Sequence, residues 1–458
     1  MKVHVIYADV GTYYYPNLHH GVASIIAVLR DHDIEVSLHH VKKIPTWHEI
    51  NDRIAKEKPN LIAFSATTNQ IHYVKEWSTW VRQRFTTPTI CGGVHATLCP
   101  EEVINYEGID VVCIGEGEFA LLDLCRMMQC HEVHPIDGLW IKNHCGIIKG
   151  KPRYLIANLD CLPYPDYSLF RPENILKDRK GAFTVMASRG CPFACHNCCN
   201  SALRKPYNGQ KYFRVRSVDN VIDQLKKLKE RYKIKRFDFA DDVLGLNKEW
   251  TREFCSKYKE LDTPFTCNAR ADVVTEQIME WLKSAGCSEI SMGVESGNEW
   301  IRVNVLNRRM TNDQIIKAFE SAHKLGIKTL SYNMIGLPYE TSEMIQETID
   351  LNKIIQPDRL GIFYFYPFPG TELYDLCLKE GFISENKTDS YLTDTILDLN
   401  TISREELDRK YIEFYRYAIS RQFPMYRYLD PVCGRFLNKK TLQFGMQSYL
   451  RLSHFIGG

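Results

Sequence analysis

A strand–helix alternation that runs twice along the chain, with one interruption, limits the folds open to this sequence more than any other feature. In the first run, apolar segments at Lys2–Val10, Ile34–Val41, Leu61–Ala66, Thr89–Cys91 and Asp110–Ile114 read as strands. Between them, apolar residues recur at helical spacing: Leu18, Val22, Ile25, Ile26 and Leu29, then Trp47, Ile50 and Ile54, then Ile71, Val74, Trp77 and Val81. Five such units in succession predict a Rossmann-like, doubly wound parallel sheet over 1–135, an α/β architecture. Pro152, Pro163, Pro165 and Pro172 then break the rhythm and predict a linker over 136–180.

The second run has strand patterns at Phe183–Ala187, Arg236–Ala240, Phe265–Asn268, Glu289–Val294, Lys328–Ile335 and Arg359–Tyr366. One intervening helix opens at Thr311 with Gln314 three residues on, a capping-box pattern. Six units fall short of an eightfold barrel, so a partial (β/α)6 barrel is expected over 181–375. From 376 to 458 a helical region rich in Tyr and Arg follows. From Ile402 on, ten Lys or Arg stand against five Asp or Glu, which reads as a solvated helical face or as a substrate-docking surface.

The 458 residues are enough for two or three domains with full cores. A net charge of +2 gives bulk charge no argument for nucleic acid or a membrane surface. No run of 18 apolar residues occurs, so no membrane span is expected. Met1 leads straight into a strand pattern, so no signal peptide is expected and a cytoplasmic location is. Sixteen cysteines in such a chain are not read as a disulfide framework; most, such as Cys91, Cys113 and Cys267, sit in apolar runs as small buried residues.

Three cysteines stand apart. Cys191, Cys195 and Cys198 follow the first strand of the second run with C-x3-C-x2-C spacing. Three thiolates on one loop can hold three irons of a 4Fe–4S cubane and leave the fourth iron open for chemistry. A structural zinc would want a fourth protein ligand, and His196 and Cys199 are too close in sequence to serve easily.

This loop resembles that of the radical S-adenosylmethionine (SAM) superfamily, and the resemblance extends over about 180–380. Strand ends carry Phe239-Ala240-Asp241-Asp242, Asn268-Ala269-Arg270-Ala271-Asp272, Gly293-Val294-Glu295-Ser296-Gly297 and Asn333-Met334-Ile335-Gly336-Leu337-Pro338, and Pro367-Phe368-Pro369-Gly370-Thr371 follows the last strand. Polar groups gathered at strand C-termini suit a barrel-type site. The resemblance implies SAM on the open iron, cleaved by one electron to a 5′-deoxyadenosyl radical. It implies SAM contacts from Phe193, Asn197, Asp241, Arg270, Glu295, Asn333, Ile335, Gly336 and Phe365. A guanidinium such as Arg270 can pair with the methionyl carboxylate, and a carboxylate such as Glu295 can accept from ribose hydroxyls. Asn197 stands where that family usually has an aromatic residue. Asp241, Asp242, Tyr332 and Tyr366 are candidates for proton or hydrogen transfer by position.

Gly92-Gly93-Val94-His95-Ala96-Thr97 and Gly115-Glu116-Gly117-Glu118, at two neighbouring strand ends, are similar to the cobalamin-binding domains fused to one branch of that superfamily. The implied cobalamin contacts are Thr67, Thr68, Asn69 and Gln70 on the lower face, and Gly92, Gly93, His95, Gly115, Glu116 and Gly117 around the nucleotide tail. No D-x-H-x-x-G follows a strand, so cobalamin without a lower histidine ligand is expected, and His19, His20 and His95 lack the right surroundings. No G-x-G-x-x-G follows the first strand, which argues against nicotinamide.

The resemblance implies methyl transfer from methylcobalamin to an unactivated carbon, with flavodoxin or ferredoxin as electron donor and no nucleic-acid partner. The basic, aromatic C-terminal segment points to a peptide or protein side chain as substrate, methyl-coenzyme M reductase being one case. A small molecule or lipid, methylated or ring-closed, is the alternative. A non-catalytic cobalamin or iron–sulfur binding protein is a third reading.

Overall fold

The computed structural model of the chain describes residues 1–10, 18–130, 134–384 and 394–422. Its first sheet holds β1 (Lys2–Ala8), β2 (Glu35–Val41), β3 (Leu61–Ser65), β4 (Thr89–Gly92), β5 (Val111–Cys113), β6 (Leu139–Asn143) and β7 (Gly146–Lys149), in the order β2-β1-β3-β4-β5-β6-β7. The first five strands are parallel, as the alternation predicts. β1 is buried along nearly its whole length, as a strand covered by helices on both faces must be. The chain leaves β1 towards β2 on one side and returns to β3 on the other, so a crevice opens at the strand C-termini between them.

The expected linker over 136–180 begins differently. β6 and β7 form an antiparallel hairpin that extends the first sheet. Its strands are four and five residues long, and only Leu139 and Ile141 are buried, so they carry little periodic signal. The proline-rich stretch that follows wraps the domain and contributes the short helix Pro172–Asp178.

The second sheet is an open parallel barrel of β8 (Ala182–Val185), β11 (Arg236–Phe239), β12 (Phe265–Ala269), β13 (Cys287–Glu295), β14 (Lys328–Ile335) and β15 (Arg359–Tyr364), each paired with its neighbour in chain order. A two-stranded ribbon, β9 (Ser188–Arg189) with β10 (Arg214–Val215), sits beside the C-terminal end of β8. Along β14, Thr329, Ser331, Asn333 and Ile335 are buried against the outer helices, and Leu330, Tyr332 and Met334 alternate with them on the half-exposed face.

β8 and β15 are the free edges of this barrel. The helix Arg404–Gln422 packs on β15: the Tyr364 hydroxyl donates to Asp408 at 2.7 Å, and the Tyr364 and Tyr411 rings stack at 4.5 Å. Leu407, Tyr411 and Phe414 join Ile335, Ile345 and Ile349 in one apolar cluster. This part of the expected docking region is therefore core, and it covers a sheet edge that would otherwise expose unpaired backbone. Residues 385–393 and 423–458 of that region lie outside the described residues. Among the described residues, no helix is long and apolar enough to cross a membrane.

A buried polar network fastens β14 to the helix Ser342–Ile355: Asn352 donates to Asn333 Oδ1 at 2.7 Å and accepts from Ser331 Oγ at 2.7 Å. Asn352→Ala removes the partner of the buried Asn333 Oδ1 acceptor and of the Ser331 hydroxyl proton, so it is expected to lower stability by about 2–4 kcal/mol. The check is a lower denaturant midpoint at unchanged slope.

Candidate active site between the two sheets

The three cysteines lie on the loop between β9 and the helix Cys199–Arg204. Gly190 opens this loop at φ +77, and a Cβ there would come within 2.6 Å of the Tyr212 carbonyl, so only glycine fits. Cys191 and Cys195 are buried and Cys198 is half-buried. Burial pushes the Cys191 thiol up to about 11. A hydrogen bond from the neighbouring Cys199 thiol pulls Cys198 down to about 7 and holds Cys199 itself well above its ordinary value.

Two guanidinium groups face Cys195. Arg270 Nη1 lies 3.4 Å from its Sγ and Arg308 Nη1 4.0 Å. Arg270 is held by Asp272 through bonds of 3.0 and 2.8 Å and lies over the Phe193 ring at 3.7 Å. Arg308 donates to the Gly293 carbonyl at 2.8 Å and pairs with Glu295 at 3.6 Å. Burial raises the Glu295 carboxyl, and Arg308 and Arg270 only partly oppose this. Arg270, expected from the sequence, thus meets Cys195 directly, with Phe193 against Arg270 and Glu295 against Arg308. Arg308 was not expected. It lies in the loop after the helical turn Ile301–Val305, away from the strand ends where site residues were sought.

His196 is not a fourth ligand, because Nδ1 meets the Val305 carbonyl at 3.1 Å and Nε2 meets Glu372 at 2.8 Å. Asn197 turns its amide nitrogen to Met334 Sδ at 3.8 Å, and its buried Oδ1 has no partner. A thiolate triplet for which His196 is no fourth ligand, next to a buried acceptor without a partner among the described residues and a braced guanidinium, fits a cluster with one open iron and SAM upon it.

Other expected SAM contacts are engaged elsewhere. Asp241 is fully buried and accepts from the amides of Ala187 and Ser188 and from the Ser188 hydroxyl, which ties β11 to the turn between β8 and β9. Burial pushes its carboxyl up to about 6. It is a turn anchor, and neither of its oxygens is free for SAM or for proton transfer. Asn333 belongs to the network behind β14, Ile335 packs into the outer cluster, and Phe365 is buried in another apolar cluster. Tyr332 remains on the half-exposed face of β14, 6.0 Å from the Phe363 ring, and Tyr366 is half-buried 5.1 Å from Phe368. The Gly336 amide donates to Glu340 Oε2 at 2.7 Å, and that of Leu337 donates to the same oxygen.

On the other side, a cavity of about 340 Å³ opens at the C-terminal ends of β1, β3, β4 and β5 and reaches Met186–Arg189 of the barrel. Gly92, Gly93, Gly115, Glu116 and Gly117 line it, as expected. Gly115, at φ +84, leaves room that the Tyr207 hydroxyl takes, since a Cβ would lie 1.8 Å from it. Thr67, Thr68, Asn69, Gln70 and His95 are not among the lining residues. Gln70 is fixed to the Val10 backbone by bonds of 2.8 and 3.0 Å, Thr67 is exposed, and the buried Asn69 Oδ1 lacks a partner. His19 caps its helix through Nδ1, which accepts from Val22 at 3.0 Å, and His20 Nδ1 meets the Tyr167 hydroxyl at 2.8 Å. Burial pushes these imidazoles down to about 4 and about 3, so both stay neutral.

Arg189, two residues before Cys191, joins the halves. It donates to Glu116 at 2.9 Å and to Glu118, and Arg214 donates to Glu116 at 3.0 Å. Burial works against the Arg189 charge, but Glu118 and Glu116 more than reverse this and raise its pKa. Burial likewise works against the Glu116 charge, but Arg189 and Arg214 hold it below the ordinary carboxylate range. Glu116 therefore lines the cavity as part of a buried ion-pair network.

Residues 185–351 match the radical SAM superfamily, and residues 4–124 match the B12 binding domain. An uncharacterized methyltransferase of Pyrococcus horikoshii is 29% identical over 406 residues, covering 86% of this chain and 87% of that protein. The cytidylyl-2-hydroxyethylphosphonate methyltransferase of Streptomyces wedmorensis is 24% identical over 364 residues, covering 71% and 67%. The anaerobic magnesium-protoporphyrin IX monomethyl ester cyclase of Cereibacter sphaeroides is 25% identical over 343 residues, covering 71% and 55%. Among solved structures, the cobalamin-dependent SAM radical enzyme OxsB with aqua-cobalamin bound superposes with a TM-score of 0.72 at 18% identity, covering 100% of this chain and 72% of that one. The radical SAM methyltransferase TsrM of Kitasatospora setae, with tryptophan and a SAM analogue bound, gives 0.68 at 16% identity, covering 84% and 77%.

Two predictions follow the geometry. Cys191→Ala, Cys195→Ala and Cys198→Ala are each expected to lose the cluster, while Cys199→Ala keeps it; iron content and visible absorbance after anaerobic reconstitution decide. Burial pushes the Glu340 carboxyl up to about 8, against the pull of the Gly336 and Leu337 amides. A carboxyl raised on folding contributes fully below its ordinary value and loses that contribution as pH climbs through about 8. The stability advantage of wild type over Glu340→Gln is therefore expected to shrink as pH rises through that window, read as the difference in melting temperature.

Proposed function

We propose that this chain, in which a B12-binding domain precedes a radical SAM domain, is a cobalamin-dependent radical SAM methyltransferase acting on an unactivated carbon of a small organic substrate. The observation that carries this reading is the fixed junction between the two sites. The residue two before the first cluster cysteine is bonded to the carboxylates that follow β5 beside the cavity. Methyl transfer needs both cofactors on one space, and Arg189 sets their supports at a constant separation.

When bound, the cluster supplies the electron for SAM cleavage and cobalamin supplies a transferable methyl group. Cys191, Cys195 and Cys198 hold three irons. Arg270, already braced by Asp272, takes the methionyl carboxylate, and Glu295 accepts from the ribose hydroxyls. Asn197 Oδ1, buried without a partner, accepts a further hydrogen bond from SAM. The glycines at the ends of β4 and β5 admit the nucleotide tail. Thr67–Gln70, expected beneath the corrin, lies outside the cavity lining, and His19 and His20 are both engaged, so cobalamin would be held there without either of them as a lower ligand. Tyr332, on the half-exposed face of β14, and Tyr366 are the groups best placed to return hydrogen or a proton to substrate.

The expectation of a peptide or protein substrate, methyl-coenzyme M reductase included, drew on the C-terminal segment, whose described part is packed on β15. Relatives that carry a named substrate act on small molecules, which supports the same for this chain. A second reading, ring closure, is favoured by the likeness to the cyclase.

The test is anaerobic. The protein is reconstituted with iron, sulfide and hydroxocobalamin, desalted, then incubated with SAM, a strong reductant and candidate substrates. About four irons and one cobalt per chain are expected, with a cobalt(II) EPR signal free of nitrogen splitting. Turnover is expected to give both S-adenosylhomocysteine and 5′-deoxyadenosine with a product heavier by one CH2. Iron without cobalt, or no SAM cleavage, would overturn the proposal. Product without added mass would move the assignment to ring closure, and methylation of a peptide would restore the protein-substrate reading.

A further inference from the structure

Beside the end of β4, three side chains outside the SAM and cobalamin cavity converge. His95 lies in the helical turn Val94–Leu98, Cys99 at the junction, and Glu102 in the turn Pro100–Ile104. The Cys99 amide donates to the His95 carbonyl at 2.8 Å and the Val103 amide to the Cys99 carbonyl at 3.2 Å, so the two turns are joined at Cys99, whose φ −126 and ψ 52 are not helical. One ligand atom from each of the three residues lies within 4.8 Å of the others.

Each group is already aimed. His95 is 3% exposed, and its Nδ1 lies 3.3 Å from Thr68 Oγ1. In the tautomer that carries its proton on Nδ1, donated to Thr68, the Nε2 lone pair is available to a metal. Nε2 is buried and faces Glu102 Oε2 at 3.4 Å, with no other partner among the described residues. The Tyr106 hydroxyl donates to Glu102 Oε1, and Oε2 faces His95. A histidine whose second nitrogen is hydrogen-bonded, and a carboxylate held by a hydroxyl, are the outer supports metal ligands usually have.

We propose that His95 Nε2, Cys99 Sγ and Glu102 Oε2 form a three-ligand site for a divalent cation of the zinc class, with its fourth position open to solvent. One nitrogen, one sulfur and one oxygen donor suit zinc better than calcium or magnesium, which take oxygen. Cys99 is half-buried and the Glu102 side chain is 54% exposed, so an ion can enter. Binding exchanges the Cys99 thiol proton for the metal and releases it to water, with no electron transferred. The site would clamp the segment after Gly92-Gly93, whose Leu98 side chain lies against Gly370 of the barrel loop. His95 becomes a metal ligand in this account and no longer a cobalamin contact. The proposal does not depend on the reaction catalysed.

The experiment uses the full chain, reconstituted with its cluster and cobalamin, exposed to a slight excess of Zn2+ and then desalted anaerobically. About one zinc per chain is expected, with sulfur among its neighbours by X-ray absorption and a zinc-dependent rise in melting temperature. Cys99→Ser and Glu102→Gln are expected to lower zinc affinity at least tenfold and to abolish that rise, with iron and cobalt content unchanged. Zinc retained by these variants, or none retained by wild type, overturns the proposal. So does a cobalt(II) EPR signal whose nitrogen splitting vanishes in His95→Ala, since His95 would then be the lower cobalt ligand.

Discussion

The Arg189 guanidinium, held between Glu116 and Glu118, is the contact on which the arrangement of the molecule turns. A buried ion pair adds little stability once desolvation is counted, but it allows only one relative position of its partners. Here the partners belong to different sheets. Glu116 and Glu118 follow β5 of the first sheet, in the loop after it and the first turn of the helix Gly117–Cys130, and Arg189 leads into the cysteine loop beside the second. Arg214 on β10 reinforces the pair and also donates to the Ile156 carbonyl at 3.0 Å, so the wrapping segment is fixed by the same cluster. Apolar packing brings the domains together. The charges determine how far apart the cysteine loop and the crevice lie.

A second set of charges governs the cysteine loop. Arg270 and Arg308 both approach Cys195, and each is tied to a carboxylate, Asp272 or Glu295. Positive charge beside a thiolate stabilises it and any anionic cluster it holds. The carboxylates keep the guanidiniums in place before a ligand arrives, so ordering them costs little on binding. The buried Asp241 does related work one layer below, where it receives the amides of the turn that leads into the loop.

Much of this was legible in the sequence. Both alternations, the cysteine spacing and the Phe193–Arg270–Glu295 grouping came from pattern and resemblance. What was missed follows from physical features a linear reading does not weigh. Asn333 and Ile335 were expected at SAM from the resemblance, but residues on a strand alternate, and their side chains share the outward face with Ser331. Tyr332 and Met334 hold the other face. Asp241 looked catalytic as an acid at a strand end, yet its hydrogen bonds are all spent on backbone and Ser188. Arg308 escaped notice because loop arginines carry no periodic signal. The hairpin β6-β7 was hidden by its short strands, which are half exposed.

Charge balance in the junction bears on what the cavity can hold. Glu116 and Glu118 would leave two buried negative charges at its wall if Arg189 and Arg214 were absent. With them those two charges are balanced, and the remaining lining is glycine, small side chains and apolar strand ends together with His19, His20, Tyr167 and Arg216. A largely apolar wall of this kind admits a bulky group through backbone contact and dispersion. It also keeps the nearby cysteine loop free of uncompensated negative charge, which would resist adding an electron to an anionic cluster. The pairing that fixes the two halves in register therefore also sets the electrostatic conditions for the chemistry between them.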